Sequence, residues 1–242
     1  RFAAQFLVYG GMEVFMGAAA VIVGGGKGTR MGAGKNKIFL KLIGKEIIAR
    51  TAEVFENSPD ISQIIIVTGS EDIEECRKII EKYGLKKVTD ITAGADTRGG
   101  SVYNGLKLVR EETAVIHDAA RALISEDIIS KTIAAAVRYG AAAPAVTCKD
   151  TLKRADENGF ITETIDRGSV FQIQTPQVFA LDDILNAYEE TGDFNATDDC
   201  GIAEKAGIPI KLTEGSYENI KLTTPEDMIT AENILKKRGV TL

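Results

Sequence analysis

From residue 18 onward, short apolar runs alternate with stretches in which apolar residues recur every three or four positions. The runs have the length of buried strands and the periodic stretches that of amphipathic helices, so the chain reads as successive βαβ units around a parallel sheet. Residues 18–23 predict a first strand that ends in glycines. Ile47, Ile48, Thr51, Ala52, Val54 and Phe55 fall at helical spacing and predict a helix over 46–57. A second strand follows at 64–68, with Ser70 as cap for a helix whose face carries Ile73, Cys76, Ile79 and Ile80 and which stops near Gly84. A strand at 88–92, a helix containing Val102, Leu106 and Val109, and a strand at 114–117 ending on Asp118 come next. A helix over 125–139 and a strand at 142–146 complete the regular alternation.

Over 149–179 the pattern changes to TLKRA, the turn sequence DENG, and FITETID with period-two alternation. This predicts a projecting β-hairpin arm. A lone hairpin is marginal and leaves unpaired edges, so the arm is expected to dimerise against a second copy. Helices at 182–190 and 198–206, strands at 210–213 and 220–222, and a last helix capped by Thr224 with Pro225 at its first position return the chain to α/β order. The expected fold is α/β: a Rossmann-like, mostly parallel sheet flanked by helices, in one domain spanning 1–242. Residues 1–15 sit oddly before this pattern, and only Arg1 there is basic, which argues against a signal peptide. They read as a non-native or disordered extension, with Met12 or Met16 as candidate starts.

With 44% apolar residues the chain can bury one sizeable core. A net charge of -6 would repel nucleic acid, so any phosphate site has to be a local basic cluster. Neither nucleic acid nor membrane is expected as a partner. Cys76, Cys148 and Cys200 are widely spaced, and a single histidine gives little help in holding zinc. They read as reduced thiols of a cytoplasmic protein.

The densest chemical signal is GGGKGTRMG over 24–32, directly after the first strand. Backbone N–H groups of such a loop converge on phosphate oxygens, and Gly24, Gly25, Gly26 and Gly28 permit close approach. It matches neither a P-loop nor a dinucleotide fingerprint, since Thr29 stands where the last glycine belongs. A tight strand-to-helix turn is the plainer reading. Arg30 and Lys37 weigh against it, because cations fixed near one strand end suit phosphoryl chemistry. Asp118 in VIHDAAR suits either a helix cap or Mg2+, which takes a few carboxylates plus substrate phosphate oxygens. His117 is expected to pack or hydrogen-bond rather than act as a base, and Lys221 in NIKLTTPED reads as a directed ammonium.

In order, GGGKGTRMG, NKIFL, AGADTRGGSV, HDAAR, CKDTLKR, TIDRGSVFQIQTPQ and NIKLTTPED resemble the 2-C-methyl-D-erythritol 4-phosphate cytidylyltransferases, from about residue 18 to the C-terminus. The resemblance implies transfer of CMP from CTP to methylerythritol phosphate, with Mg2+ as cofactor and pyrophosphate as product. It implies that Gly24, Gly25 and Gly26 surround the nucleotide while Arg30 and Lys37 stabilise the α-phosphate. Ala95, Asp96 and Ser101 would read cytosine and ribose. Asp118 and Ala119 would lie by ribose and metal, with Arg121 and Lys221 near the sugar phosphate. Thr175 would complete the pocket, and the arm of a homodimer would lend Thr151 and Arg167 to the other subunit's site. The family's usual PAAG, PKQ and HDAARP are here VGGG, NKI and HDAARA, so loop order is expected to depend more on bound nucleotide. Two other readings stand beside this one. A ribitol 5-phosphate cytidylyltransferase shares the loop logic, and a non-catalytic nucleotide sensor could keep the fold. Against the sensor, Arg30, Lys37, Asp118 and Lys221 crowded into one cleft would cost desolvation with no ligand to offset it.

Overall fold

A computed structural model describes residues 17–26 and 36–241, together with the backbone of 7–9 and 12–14. Leu7–Tyr9 (β1) and Met12–Val14 (β2) pair as an antiparallel ribbon, and the rest of the predicted 1–15 extension lies outside the described residues, as does Arg30.

The remaining elements follow the alternation predicted above. They are β3 (Ala18–Val23), β4 (Lys41–Leu42), β5 (Lys45–Glu46), α1 (Ile47–Asn57), β6 (Ile61–Thr68), α2 (Ile73–Tyr83), β7 (Val88–Ala93), α3 (Arg98–Leu106) and β8 (Thr113–Asp118). The second half contributes α4 (Glu126–Tyr139), β9 (Ala141–Thr147), β10 (Leu152–Ala155), β11 (Ile161–Ile165), β12 (Phe171–Ile173), β13 (Gln177–Ala180), α5 (Leu181–Thr191), α6 (Asp199–Lys205), β14 (Lys211–Glu214) and α7 (Pro225–Lys237).

The main sheet runs β12-β9-β13-β8-β3-β6-β7, with β14 on β9. The pairs β3–β6, β3–β8, β6–β7 and β9–β14 are parallel, and β13 and β12 enter antiparallel. Such strands are covered on both faces, which is why Ala18–Val23 and Ile64 to Val67 carry apolar residues in unbroken runs. One face packs Ile22, Ile64 and Ile66 under α1, α2 and α4; the other packs Val21, Ile65 and Val67 under α3, α5 and α6. A Cβ on Gly105 would come within 2.5 Å of Val21 Cγ1, so this glycine lets α3 lie close on the sheet. From β3 the chain winds outward through β6 and β7, then returns to the other side of β3 as β8. That reversal makes the carboxyl ends of β3 and β8 a topological switch point, where open α/β sheets form ligand crevices.

Four expectations need correction. The helix after β6 is not capped by Ser70, which lies in a 3-10 turn, Ser70–Asp72, leading into α2. Val109 lies beyond the end of α3. The arm is shorter than 149–179: β10 and β11 form the hairpin, while β12 and β13 join the main sheet. Residues 220–222 form no strand; Leu222 is buried against Leu42, Ala120, Ala231 and Leu235, and its N–H donates to Ala120 O at 2.9 Å. The thiols of Cys76, Cys148 and Cys200 are free and buried, and burial pushes Cys76 up to about 12.

Candidate active site

The glycine loop leaves β3 at Gly24, whose N–H donates to Val67 O at 2.7 Å. A Cβ there would meet Ile38 Cδ1 at 2.9 Å and Ala119 Cβ at 3.1 Å, so only glycine lets the strand ends close together. Two further strand ends complete the rim. Gly94 N–H donates to Thr68 O at 2.7 Å, and Ala119 N–H donates to Val23 O at 2.9 Å.

Between these ends lies a cleft of about 300 Å³ lined by Gly24, Gly25, Gly26, Lys37, Ala95, Asp96, Ser101, Asp118 and Lys221. Nine site residues picked from sequence therefore share one mouth of the sheet. Lys37 sits on a 3-10 turn, Lys37–Phe39, and its Nζ donates to Leu222 O at 2.9 Å. This hydrogen bond ties the turn to the segment that carries Lys221. Ser101 Oγ accepts from Ala95 N–H at 2.9 Å and donates to Thr97 O at 2.9 Å, which shapes the 95–97 loop. Thr97 caps α3 by accepting from Gly100 N–H at 3.0 Å.

Asp118 is the electrostatic centre. Its carboxylate meets Arg98 Nε at 3.2 Å, Lys221 Nζ at 2.7 Å and Arg121 Nε at 3.9 Å. Burial raises the Asp118 pKa, but Arg98, then Lys221 and Arg121, outweigh it and hold the group well below the usual carboxylate range. Arg98 was not singled out from sequence, although it lies inside AGADTRGGSV. Its Nη2 donates at 2.9 Å to Asp199, which is fully buried and accepts from Tyr188 Oη at 2.6 Å. Burial works against the Arg98 charge, and Asp199 and Asp118 more than compensate, so its pKa rises. Asp199 comes from α6, a hundred residues on, with no local signal to mark it.

Arg121 donates Nη1 to Asn219 O at 2.7 Å. Thr175 Oγ1 accepts from Asp118 N–H at 3.2 Å and bonds His117 Nδ1 at 2.9 Å. The other ring nitrogen of His117 faces Arg121 O at 3.3 Å, and a carbonyl can only accept, so the proton sits on Nε2. Thr175 must then donate to Nδ1. Burial pushes this imidazole down to about 3, consistent with the structural part foreseen for it. Ala119 is buried behind Gly24. Thr151 and Arg167 are exposed and do not line this chain's cleft; Arg167 Nη1 donates to Lys149 O at 2.6 Å.

The donor set does not suit a magnesium ion held by the protein on Asp118. Both of its oxygens already face cations, and among the described residues no group of three His, Cys, Asp or Glu side chains is gathered to hold a metal. For Asp118 to hold Mg2+, a carboxylate oxygen would have to turn toward the ion and away from these ammonium and guanidinium groups. Counted against Asp118, Asp96 and the Asp199 behind Arg98, the four cations Arg98, Arg121, Lys221 and Lys37 leave this region one charge positive, which fits an anionic ligand.

A glycine loop, a following lysine and a buried aspartate at a switch point agree with what a family comparison finds: a model for 2-C-methyl-D-erythritol 4-phosphate cytidylyltransferase matches residues 18–237. The chain belongs to that family. Among cytidylyltransferases of this name, that of Alkaliphilus oremlandii is 45% identical over 94% of this chain and 98% of the relative. The cytidylyltransferase of Geobacillus kaustophilus is 43% identical over 92% of this chain and 99% of its own. The crystal structure of the 4-diphosphocytidyl-2C-methyl-D-erythritol synthase from Anaerococcus prevotii superposes with a TM-score of 0.80 at 31% identity, covering 91% of this chain and 96% of that one. The chain is thus a nucleotidyltransferase of the cytidylyltransferase type. No helix among the described residues is long and apolar enough to cross a membrane.

Proposed function

We propose that this chain transfers the cytidylyl group of CTP to the phosphate of 2-C-methyl-D-erythritol 4-phosphate, forming 4-diphosphocytidyl-2-C-methyl-D-erythritol and releasing pyrophosphate. The observation that carries the reading is Lys37 and Lys221 at one cleft with the Gly24–Gly26 loop, beside an Asp118 that keeps Lys221 oriented. An acceptor phosphate oxygen, anionic at neutral pH, attacks the α-phosphorus in line. The bond to the β-phosphate oxygen breaks and its electron pair leaves with pyrophosphate, so no general base is needed. Lys37 and, by resemblance, Arg30 neutralise the charge that gathers on the α-phosphate. Lys221 and Arg121 orient the acceptor phosphate, while Ala95, Asp96 and Ser101 frame the base and ribose. CTP would carry Mg2+ on its own phosphates, which neutralises part of their charge.

The same reading makes the enzyme a cytoplasmic homodimer, with the β10–β11 arm lending Thr151 and Arg167 to the partner's cleft. Exposed Phe160 and Ile161 on the arm support a second surface there. Supplying CTP with methylerythritol phosphate or ribitol 5-phosphate, while following pyrophosphate, tests the assignment. The expected preference for methylerythritol phosphate is at least about 100-fold in kcat/KM. A preference for ribitol 5-phosphate would reassign the acceptor, and CTP binding without pyrophosphate from either would favour the silent sensor.

A further inference from the structure

Asn36 immediately precedes Lys37 and is buried, with 7% of its surface exposed. Its Nδ2 donates to Gly24 O at 2.8 Å and to Asp72 Oδ2 at 2.8 Å. Its Oδ1 accepts from Ile38 N–H at 3.3 Å, which caps the turn that carries Lys37. The amide has two N–H donors, and each has an acceptor. Turned over, it would face its own oxygen toward a carbonyl and a carboxylate, so the environment fixes its orientation. Three pieces of the site meet on this one side chain. Gly24 opens the phosphate loop after β3, Asp72 stands at the start of α2 beyond the end of β6, and Ile38 belongs to the lysine turn.

We propose that Asn36 is a positioning residue that sets Lys37 against the glycine loop, a part that an alanine in its place could not play. The inference rests on Lys37 meeting the transferred phosphate. A lysine stabilising developing charge acts only from a fixed place, and a displacement of about 1 Å can cost ~100-fold in rate. The Leu222 carbonyl holds the Nζ end of Lys37, and Asn36 holds the backbone end.

The test is a double-mutant cycle of Asn36→Ala, Lys37→Ala and both together, read as kcat and KM for CTP from pyrophosphate release with the better polyol phosphate. Asn36→Ala should lower kcat at least about tenfold while KM for CTP moves less than about threefold. On the Lys37→Ala background the same change should lower kcat less than about twofold, because the group it positions is gone. Full additivity, or an Asn36→Ala enzyme with wild-type kcat, overturns the proposal while leaving the Lys37 assignment standing. If Lys37→Ala itself turns over normally, the assignment falls and the proposal with it. Should Asn36→Ala not fold, Asn36→Asp keeps the oxygen that caps Ile38 and lacks both donors. It should show the same kcat loss, and wild-type turnover in it would overturn the proposal.

Discussion

Asp118 and Phe160 mark two ways of leaving a side chain at the surface of one chain. Asp118 lines the cleft, yet is only 7% exposed and has Arg98, Lys221 and Arg121 around it. Phe160 caps the hairpin turn with 72% of its surface open, and its neighbour Ile161 is 66% open. The cleft satisfies its charges within the chain and still has positive charge to spare for phosphates. The arm satisfies its backbone through β10 and β11, but Phe160 and Ile161 at its tip are left open by the described residues. The difference separates a site that the chain assembles by itself from a hairpin whose apolar tip stays open.

Breaking the cleft side should give the largest effect. Asp118→Asn keeps the shape and removes the carboxylate shared by Arg98 and Lys221, so Lys221 loses the partner that orients it and Arg98 is left with Asp199. Turnover should fall about 1,000-fold, the scale of losing preorganised charge at a reacting phosphate. Steady-state pyrophosphate release, with circular dichroism to confirm folding, measures this. A loss under tenfold would mean Asp118 does not organise the cations.

The arm side yields the next largest effect. If Arg167 serves the partner's cleft, Arg167→Ala should lower kcat/KM for the acceptor about 100-fold and leave KM for CTP nearly unchanged. Mixing Arg167→Ala chains with Asp118→Asn chains separates the arrangements. In a mixed dimer that exchanges arms, the Arg167→Ala chain keeps an intact cleft and receives Arg167 from its partner, so one site of two recovers. Were each arm to serve its own cleft, neither site would, and activity would stay at the level of the inactive parents. Absence of recovery in verified mixed dimers would confine Arg167 to its own chain.

The same contrast explains what was legible in the sequence. The strand ends and glycine loop were readable because their signals are local: an unbroken apolar run, then residues that permit close approach. Thr224 and Pro225 announced α7 in the same way, and Thr224 forms a capping box with Asp227. The hairpin was visible as period-two alternation, but its extent was not. Phe171–Ile173 and Gln177–Ala180 alternate or run apolar just as an arm strand does, and only pairing with β9 and β8 places them in the main sheet. Ile220 to Leu222 looked like a strand because burial alone makes a residue apolar, and here α7 supplies the burial without a partner strand. Arg98 with Asp199 and Tyr188 was hidden because the contact joins elements far apart in the chain.

The smallest expected effect concerns the buried histidine next to Asp118, where the comparison with the arm becomes one of pH. His117 is fully buried, and burial holds its imidazole at about 3 against an ordinary 6.5. Below pH 6.5 the unfolded chain takes up a proton that the native chain refuses until near pH 3. Stability from the neutral ring is therefore complete above that upper value and drains away as pH falls, by about 1.4 kcal/mol per pH unit from this group at most. His117→Gln removes the titration, so its urea midpoint should change less between pH 6 and 4 than that of the parent chain. The hairpin contains no histidine, and Ile161→Ser should leave the pH slope as it was. Parallel slopes for parent and His117→Gln would show that the ring accepts its proton as readily in the native fold as outside it, and the bare Nδ1 that accepts from Thr175 would lose its support.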